Sequence, residues 1–281
     1  AEMIAAHCDI PIIYTSALSD EITFNRAKKT CPYGYIVKPF RVKDLAMIIE
    51  IAFNSHSFKK QAVEEKEKSF ANLRQSMNGI IQAIALTVEA RDPYTAGHQR
   101  RVSQMARLIG NALRLTSDQI EGIRLAGVIH DLGKIHIPSE ILSKPGMISA
   151  PEFALIKTHP QVGYDILKTI EFPWPIAQIV YQHHERLDGS GYPLGITGDE
   201  MLIEAKIVSI ADVVEAMISH RPYRPALGIE TALDEIMTNR GILYDSDVVE
   251  ACRSVVYDDE LMLVFQGTHN NAYQRSSEFT A

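Results

Sequence analysis

The chain has 281 residues, 46% of them hydrophobic and 22% charged, with a formal net charge of −7. That length holds two domains, or one domain with an accessory segment, and the acidic balance argues against general binding to DNA or RNA phosphates, which takes a basic surface. No run of about 18 apolar residues is present to span a membrane, and three widely spaced cysteines, Cys8, Cys31 and Cys252, disfavour a disulfide framework and suit a reducing cytoplasm.

The chain opens on Ala1 rather than Met, as an excised fragment does, and lacks the basic-then-apolar start of a secretory signal. Residues 10–15, Ile-Pro-Ile-Ile-Tyr-Thr, are expected to form a short buried strand, followed by a polar helix over 20–29 and a second strand over 33–37. Lys38-Pro39 ends that strand, and Leu45–Phe53 reads as a further helix. This β-α-β-α order, with Thr15-Ser16 and Lys38-Pro39 at its turns, resembles the second half of a response-regulator receiver domain. The resemblance covers residues 1–54. The family's phospho-accepting Asp belongs to an earlier strand, so the segment is not expected to be phosphorylated in the receiver manner.

Val63, Phe70, Met77 and Ile84 then recur every seven residues, with Leu73 and Ile80 between them at offset three. The spacing predicts a helix over 55–85. It is either a coiled coil that makes a homodimer or one amphipathic helix packed on its own domain. Lys66, Gly79 and Thr87 interrupt the seam.

Residues 86–268 read as helices joined by turns, so the chain as a whole is expected to be mainly α, with a small α/β segment at its start. Thr116-x-x-Gln119 has the form of a capping box opening a helix that runs to His130. Pro173 and Pro175 bracket the start of another helix, which ends near His184. Gly189, Gly191, Pro193, Gly195 and Gly198 force a loop. Ile203–Ile218 is apolar nearly all round, as a central buried helix should be. The polar residues 269–281 are expected to be a disordered tail.

Imidazoles and carboxylates are placed unusually in this helical region. His98 heads an apolar stripe with Val102, Met105, Ile109 and Leu113, and His130 closes one with Ile120, Ile123 and Gly127, so both face inward. Asp212 sits in the apolar run Ile207-Val-Ser-Ile-Ala-Asp212-Val-Val, where an unpaired carboxylate costs several kcal/mol. A metal ion removes that cost. Imidazole and carboxylate without thiolate suit iron, manganese, nickel, cobalt or zinc rather than a zinc-finger site.

The pair His130-Asp131 resembles the signature of the HD phosphohydrolase superfamily. Lys134 and the run His183-His184-Glu185-Arg186-Leu187-Asp188-Gly189-Ser190-Gly191-Tyr192-Pro193 are similar to its HD-GYP subfamily, bacterial cyclic di-GMP phosphodiesterases. So are Asp92-Pro-Tyr-Thr-Ala-Gly-His98, His159-Pro160-x-x-Gly163, and Asp212 with Arg221-Pro-Tyr-Arg224. The resemblance implies an all-helical domain that holds two divalent ions, iron or manganese ahead of nickel, cobalt or zinc. Its implied ligands are His130, Asp131, His159, His183, His184 and Asp212, with Asp131 bridging and His98 a ligand or close neighbour. Some relatives hold a third ion through a Glu at the position of Tyr94, so two ions are expected here. Glu215, Ile218 and His220 stand where relatives more often have Asp, Thr and Asp, and are expected to bear on substrate preference rather than chemistry.

On the same basis Lys134 is expected to neutralise charge on phosphate beside Asp131, and Arg221 and Arg224 to grip a second phosphate. Gly191, Tyr192 and Pro193 are expected to line the substrate, with the Tyr192 ring stacking on guanine. The implied activity is hydrolysis of cyclic di-GMP to pGpG or GMP. Its rivals are hydrolysis of cyclic GMP-AMP, and a non-catalytic sensor that binds cyclic di-GMP or shows the Gly-Tyr-Pro loop to a diguanylate cyclase.

Overall fold

A computed structural model describes residues 2–17, 25, 28–91, 97–219, 226–259 and 261. Its internal contacts divide the chain into two units, Ala1–Met77 and Asn78–Ala281. None of the described helices is long and apolar enough to cross a membrane.

In the first unit, helix α1 (Glu2–His7) precedes strand β1 (Ile13–Ser16), which pairs in parallel with β2 (Gly34–Val37) in the register Ile13 to Gly34 and Ser16 to Val37. Parallel strands need a crossover between them, and the helix expected there over 20–29 lies almost wholly outside the described residues. The first strand was expected over 10–15 and buried. It begins three residues later and is only half-buried.

Helix α2 (Val42–Glu89) runs 48 residues without a break. It fuses the helix expected over Leu45–Phe53 with the one expected over 55–85. Nothing between Phe40 and Asn78 is Pro or Gly, so no residue there interrupts the backbone ladder. Arg41 and Asp44 pair at its start, at 2.9 Å. The heptad stripe stays wet: Phe70 is 60% and Leu73 66% exposed. The face that α2 buries in the second unit is Ile81, Ala85 and Val88, spaced four and three apart.

The second unit is all helix and loop among its described residues. Helices α3 (His98–Ala112) and α4 (Ser117–Ile129) pack side by side. The expected capping box is present, Thr116 and Gln119 each accepting the other's backbone N–H at 3.3 Å. A 3-10 turn (Leu132–His136) and the short helices α5 (Ser139–Leu142) and α6 (Ala150–Ile156) lead to α7 (His159–Leu167) and α8 (Ile176–Gln182). The central helix α9 (Ile203–Ile218) packs on α3, α4 and α8, and α10 (Ile229–Thr238) and α11 (Ser246–Val255) complete the unit. Met105, Ile109, Ile123, Ile179, Ile207 and Ile210 are wholly buried between these helices. At Gly133 a Cβ would fall 1.8 Å from the His159 carbonyl oxygen. Only glycine lets the 3-10 turn lie directly on the start of α7. The expected tail lies outside the described residues.

Candidate metal centre

Every candidate ligand sits at or near a helix end, except Asp212, which projects from the middle of α9. His98 is the first residue of α3, following Gly97 at φ 73°. His130 and Asp131 follow α4, His159 opens α7, and His183 and His184 follow α8. These termini converge. His98, His130, Asp131, His159 and His183 are buried, while His184 and Asp212 are partly open to solvent.

Three of the imidazoles are fixed in the same way. Nδ1 donates to the carbonyl three residues back: His130 to Gly127 at 2.9 Å, His159 to Ile156 at 2.8 Å, and His183 to Val180 at 2.6 Å. A carbonyl only accepts, so the proton is on Nδ1 and the Nε2 lone pair points inward. Nε2 of His159 and His183 lie 3.3 Å apart, and the buried Nε2 of His130 has no hydrogen-bond partner among the described residues. Converging lone pairs repel unless a cation lies among them. The donor set therefore fits divalent metal, with backbone carbonyls orienting the rings as outer-shell groups do in metal sites.

The carboxylates complete this arrangement. Asp131 Oδ1 lies 3.5 Å from His159 Nε2, and its Oδ2 lies 3.5 Å from His130 Nε2 and 3.7 Å from His98 Nε2. One carboxylate thus faces two groups of imidazoles. Asp212 Oδ1 is 3.2 Å from His98 Nε2 and 3.8 Å from His130 Nε2. Among the described residues three overlapping donor groups result, each with ligand atoms within 4.8 Å of one another: His159, His183 and His184; His98, His130 and Asp212; and His130, Asp131 and His183.

Electrostatics match. Burial pushes His159 down to about 4 and His183 down to about 3, and drives His184 well below the usual histidine range, so these rings are neutral. Burial opposes ionisation of Asp131 and Asp212 as well. Lys134 and the imidazoles outweigh it at Asp131, as His98 and His130 do at Asp212, and hold both carboxyls well below the usual range. Neutral imidazole and ionised carboxylate are the forms a divalent ion binds.

Of the other expected site residues, Lys134 places Nζ 2.7 Å from Asp131 Oδ2. Tyr192 stacks on His184, ring centroids 4.7 Å apart and planes at 30°, so His184 takes one face of the ring expected to receive guanine. Gly191 and Pro193 flank that ring in the loop. Arg221, Arg224, His220 and Tyr94 lie outside the described residues.

Glu215 requires a correction. It was expected to bear on substrate preference, yet it is fully buried beneath the metal centre. His98 Nδ1 donates to its Oε2; Arg101 Nε and Ser219 Oγ both donate to its Oε1, at 2.6 Å. Burial works against charge on His98, but Glu215 and Asp212 outweigh it and raise the imidazole to about 9. The signal was available: a Glu three residues after Asp212 in an apolar helix needs a buried partner, and His98-x-x-Arg101 offers two.

The profile of the HD domain family matches residues 82–248. The chain is 34% identical over 255 residues to the cyclic di-GMP phosphodiesterase response regulator RpfG of Xanthomonas campestris pv. campestris, covering 88% of this chain and 68% of that protein. It is 34% identical over 233 residues to a cyclic di-GMP phosphodiesterase of Thermotoga maritima, covering 77% and 63%. It is 33% identical over 177 residues to the 3'3'-cGAMP-specific phosphodiesterase 3 of Vibrio cholerae, covering 63% and 38%. The chain thus spans about two thirds of the first two relatives and much less of the third. Among solved structures, Bd1817, an HDG"Y"P protein from Bdellovibrio bacteriovorus, shares the fold at TM-score 0.52 and 21% identity, covering 68% of this chain and 67% of that one.

Proposed function

The chain belongs to the HD domain family, and from that premise we propose that it is a metal-dependent phosphodiesterase that hydrolyses cyclic di-GMP to pGpG or GMP in bacterial signalling. The observation that carries the proposal is the convergence of buried Nε2 lone pairs on the two oxygens of Asp131.

His98, His130, Asp131, His159, His183, His184 and Asp212 hold two divalent ions, iron or manganese ahead of nickel, cobalt or zinc. Bound there, the ions supply Lewis acidity toward phosphate oxygens. Asp131 serves both groups of imidazoles. Lys134, held against Asp131, offsets the negative charge that grows on phosphate. Arg221 and Arg224, three residues apart, take the second phosphate. A full donor set together with Lys134 favours catalysis over a sensor, which needs neither.

A second substrate has its own support. Relatives include 3'3'-cGAMP-specific phosphodiesterases beside those for cyclic di-GMP, so 3'3'-cGAMP is the alternative. The segment 1–54 is part of a receiver domain, a reading supported by the parallel strands that end together at Ser16 and Val37, where Lys38 N donates to Ser16 O at 2.8 Å. Residues 86–268 form the catalytic domain, and residues 55–85 the helix through which two chains pair.

The test is product identification. Protein loaded with Mn²⁺ or, without oxygen, with Fe²⁺ is incubated with cyclic di-GMP and with 3'3'-cGAMP, and the mixtures are separated by chromatography. Linear pGpG or GMP is expected. Intact dinucleotides in the presence of fully loaded protein would leave the sensor reading in its place.

A further inference from the structure

We infer that Glu185 is a positioning residue: its carboxylate fixes the Gly-Tyr-Pro loop so that Tyr192 braces His184 within the metal centre. The inference rests on the metal-centre reading above and names a device by which the chain maintains that centre.

His184 differs from the other imidazoles of its group. His159 and His183 are each held by an Nδ1 hydrogen bond to a backbone carbonyl. Neither ring nitrogen of His184 makes a hydrogen bond among the described residues, so no polar contact sets its rotation. Rings do so instead: His183 and His159, with centroids 4.1 and 5.0 Å away, and Tyr192, which comes from outside the ligand set. Tyr192 stacks on it with centroids 4.7 Å apart, while Tyr192 N donates to His184 O at 3.2 Å. The Tyr192 hydroxyl makes no hydrogen bond among the described residues, so the ring rather than the phenol carries the contact. An aromatic face at this spacing restricts a neighbouring imidazole without competing for its lone pair.

Something must then hold Tyr192, which lies in a loop between Gly189 at φ 79° and Gly195 at φ 66°. Glu185 is 1% exposed. Its Oε1 accepts from Leu194 N at 2.7 Å and its Oε2 from Gly195 N at 3.1 Å. No Lys or Arg among the described residues pairs with it. Burying a carboxylate against two neutral amides is costly, and here those amides are the ones just beyond Tyr192-Pro193. The loop is also pressed onto the backbone of Glu185 itself: a Cβ on Gly191 would fall 2.4 Å from Glu185 Cα and 2.5 Å from Arg186 N. The residue that follows His184 in sequence therefore grips the loop whose ring covers His184.

Metal binding tests this without any dinucleotide. Mn²⁺ is titrated into metal-free protein and free Mn²⁺ is followed by electron paramagnetic resonance. Glu185→Ala and Tyr192→Leu should each weaken the ion held by His184 by roughly 10–100-fold, as loss of an outer-shell partner does. Tyr192→Phe should bind as wild type, and Glu185→Gln, which keeps an acceptor oxygen, should recover most of the loss. Because Glu185 acts through Tyr192, the double variant should bind no more weakly than Tyr192→Leu alone.

Wild-type Mn²⁺ affinity in Glu185→Ala with a raised KM would overturn the inference and make the loop a substrate contact. Additive losses in the double variant would overturn it too. If Glu185→Ala does not fold by circular dichroism, the Tyr192 pair decides: equal affinity in Tyr192→Leu and Tyr192→Phe sinks the brace. A wild type that takes up no Mn²⁺ would instead sink the metal-centre reading itself.

Discussion

Nε2 of His159 faces Nε2 of His183 at 3.3 Å, while Nδ1 of each ring is committed to a carbonyl three residues back. Neither ring can turn away without giving up that bond, and neither can offer the other a proton from Nε2. A metal-free protein therefore keeps facing lone pairs in a buried site. Metal should stabilise the fold measurably: at about 100 times the dissociation constant a ligand adds about 2.7 kcal/mol. For a unit of this size that is roughly 5–10 °C in Tm. Differential scanning fluorimetry with and without Mn²⁺ checks it. An unchanged Tm would mean that the cluster does not bind the ion.

Asp131 and Lys134 touch at 2.7 Å yet should fail differently. Asp131→Ala removes the carboxylate shared by two groups of imidazoles and should abolish both metal loading and turnover. Lys134→Ala should keep the metal and lose about 10²–10³ in rate, the range for one electrostatic stabiliser. Metal content by mass spectrometry, set beside turnover, separates them. A metal-free Lys134 variant would reassign the lysine to holding Asp131 in place.

His98 is raised to about 9, above the ordinary histidine value of 6.5. At pH 7 the metal-free protein thus holds a proton there, and stability from that proton is complete below about pH 6.5 and lost as pH rises through about 9. A metal at Nε2 must displace it. Uptake of Mn²⁺ at pH 7 should release about one proton from this site and strengthen as pH rises. Glu215→Gln removes the charge that raises His98 and should shrink the release. Titration calorimetry in two buffers of different ionisation enthalpy reads the proton count directly; equal counts in wild type and Glu215→Gln would refute the link.

Phe70 and Leu73 expose most of their surface on α2. Burying a residue like Phe70 contributes about 1.5–3 kcal/mol, so a few such pairs would hold two chains together at micromolar concentration. Light scattering should find a dimer at tens of micromolar and a monomer for Phe70→Glu. A wild-type monomer, or a dimeric charge variant, would rule out this interface.

What the sequence made legible follows from what is local. The capping box at Thr116 and the apolar helix Ile203–Ile218 depend on residues within a few positions, and both are present where expected. The convergence of His98, His130, Asp131, His159, His183, His184 and Asp212 was legible because the chain resembles a family whose motifs span them. Contacts that close over long separations were not. Glu215 meets His98 across 117 positions; its place in an apolar helix calls for a buried partner, but spacing alone does not say which. The buried face of α2 was missed for a different reason. Ile81, Ala85 and Val88 lie beside the regular heptad stripe, and the stronger periodic signal drew attention to residues that remain exposed.

Counting metal against turnover decides whether the site hydrolyses cyclic di-GMP with two ions. Mn²⁺ is added in small steps to metal-free protein while cyclic di-GMP cleavage is followed in the same sample. Activity should be absent without metal and should saturate at two ions per chain, with Asp131→Ala inactive throughout. Cleavage without metal, or a protein that binds two ions and leaves both cyclic di-GMP and 3'3'-cGAMP intact, would contradict the account.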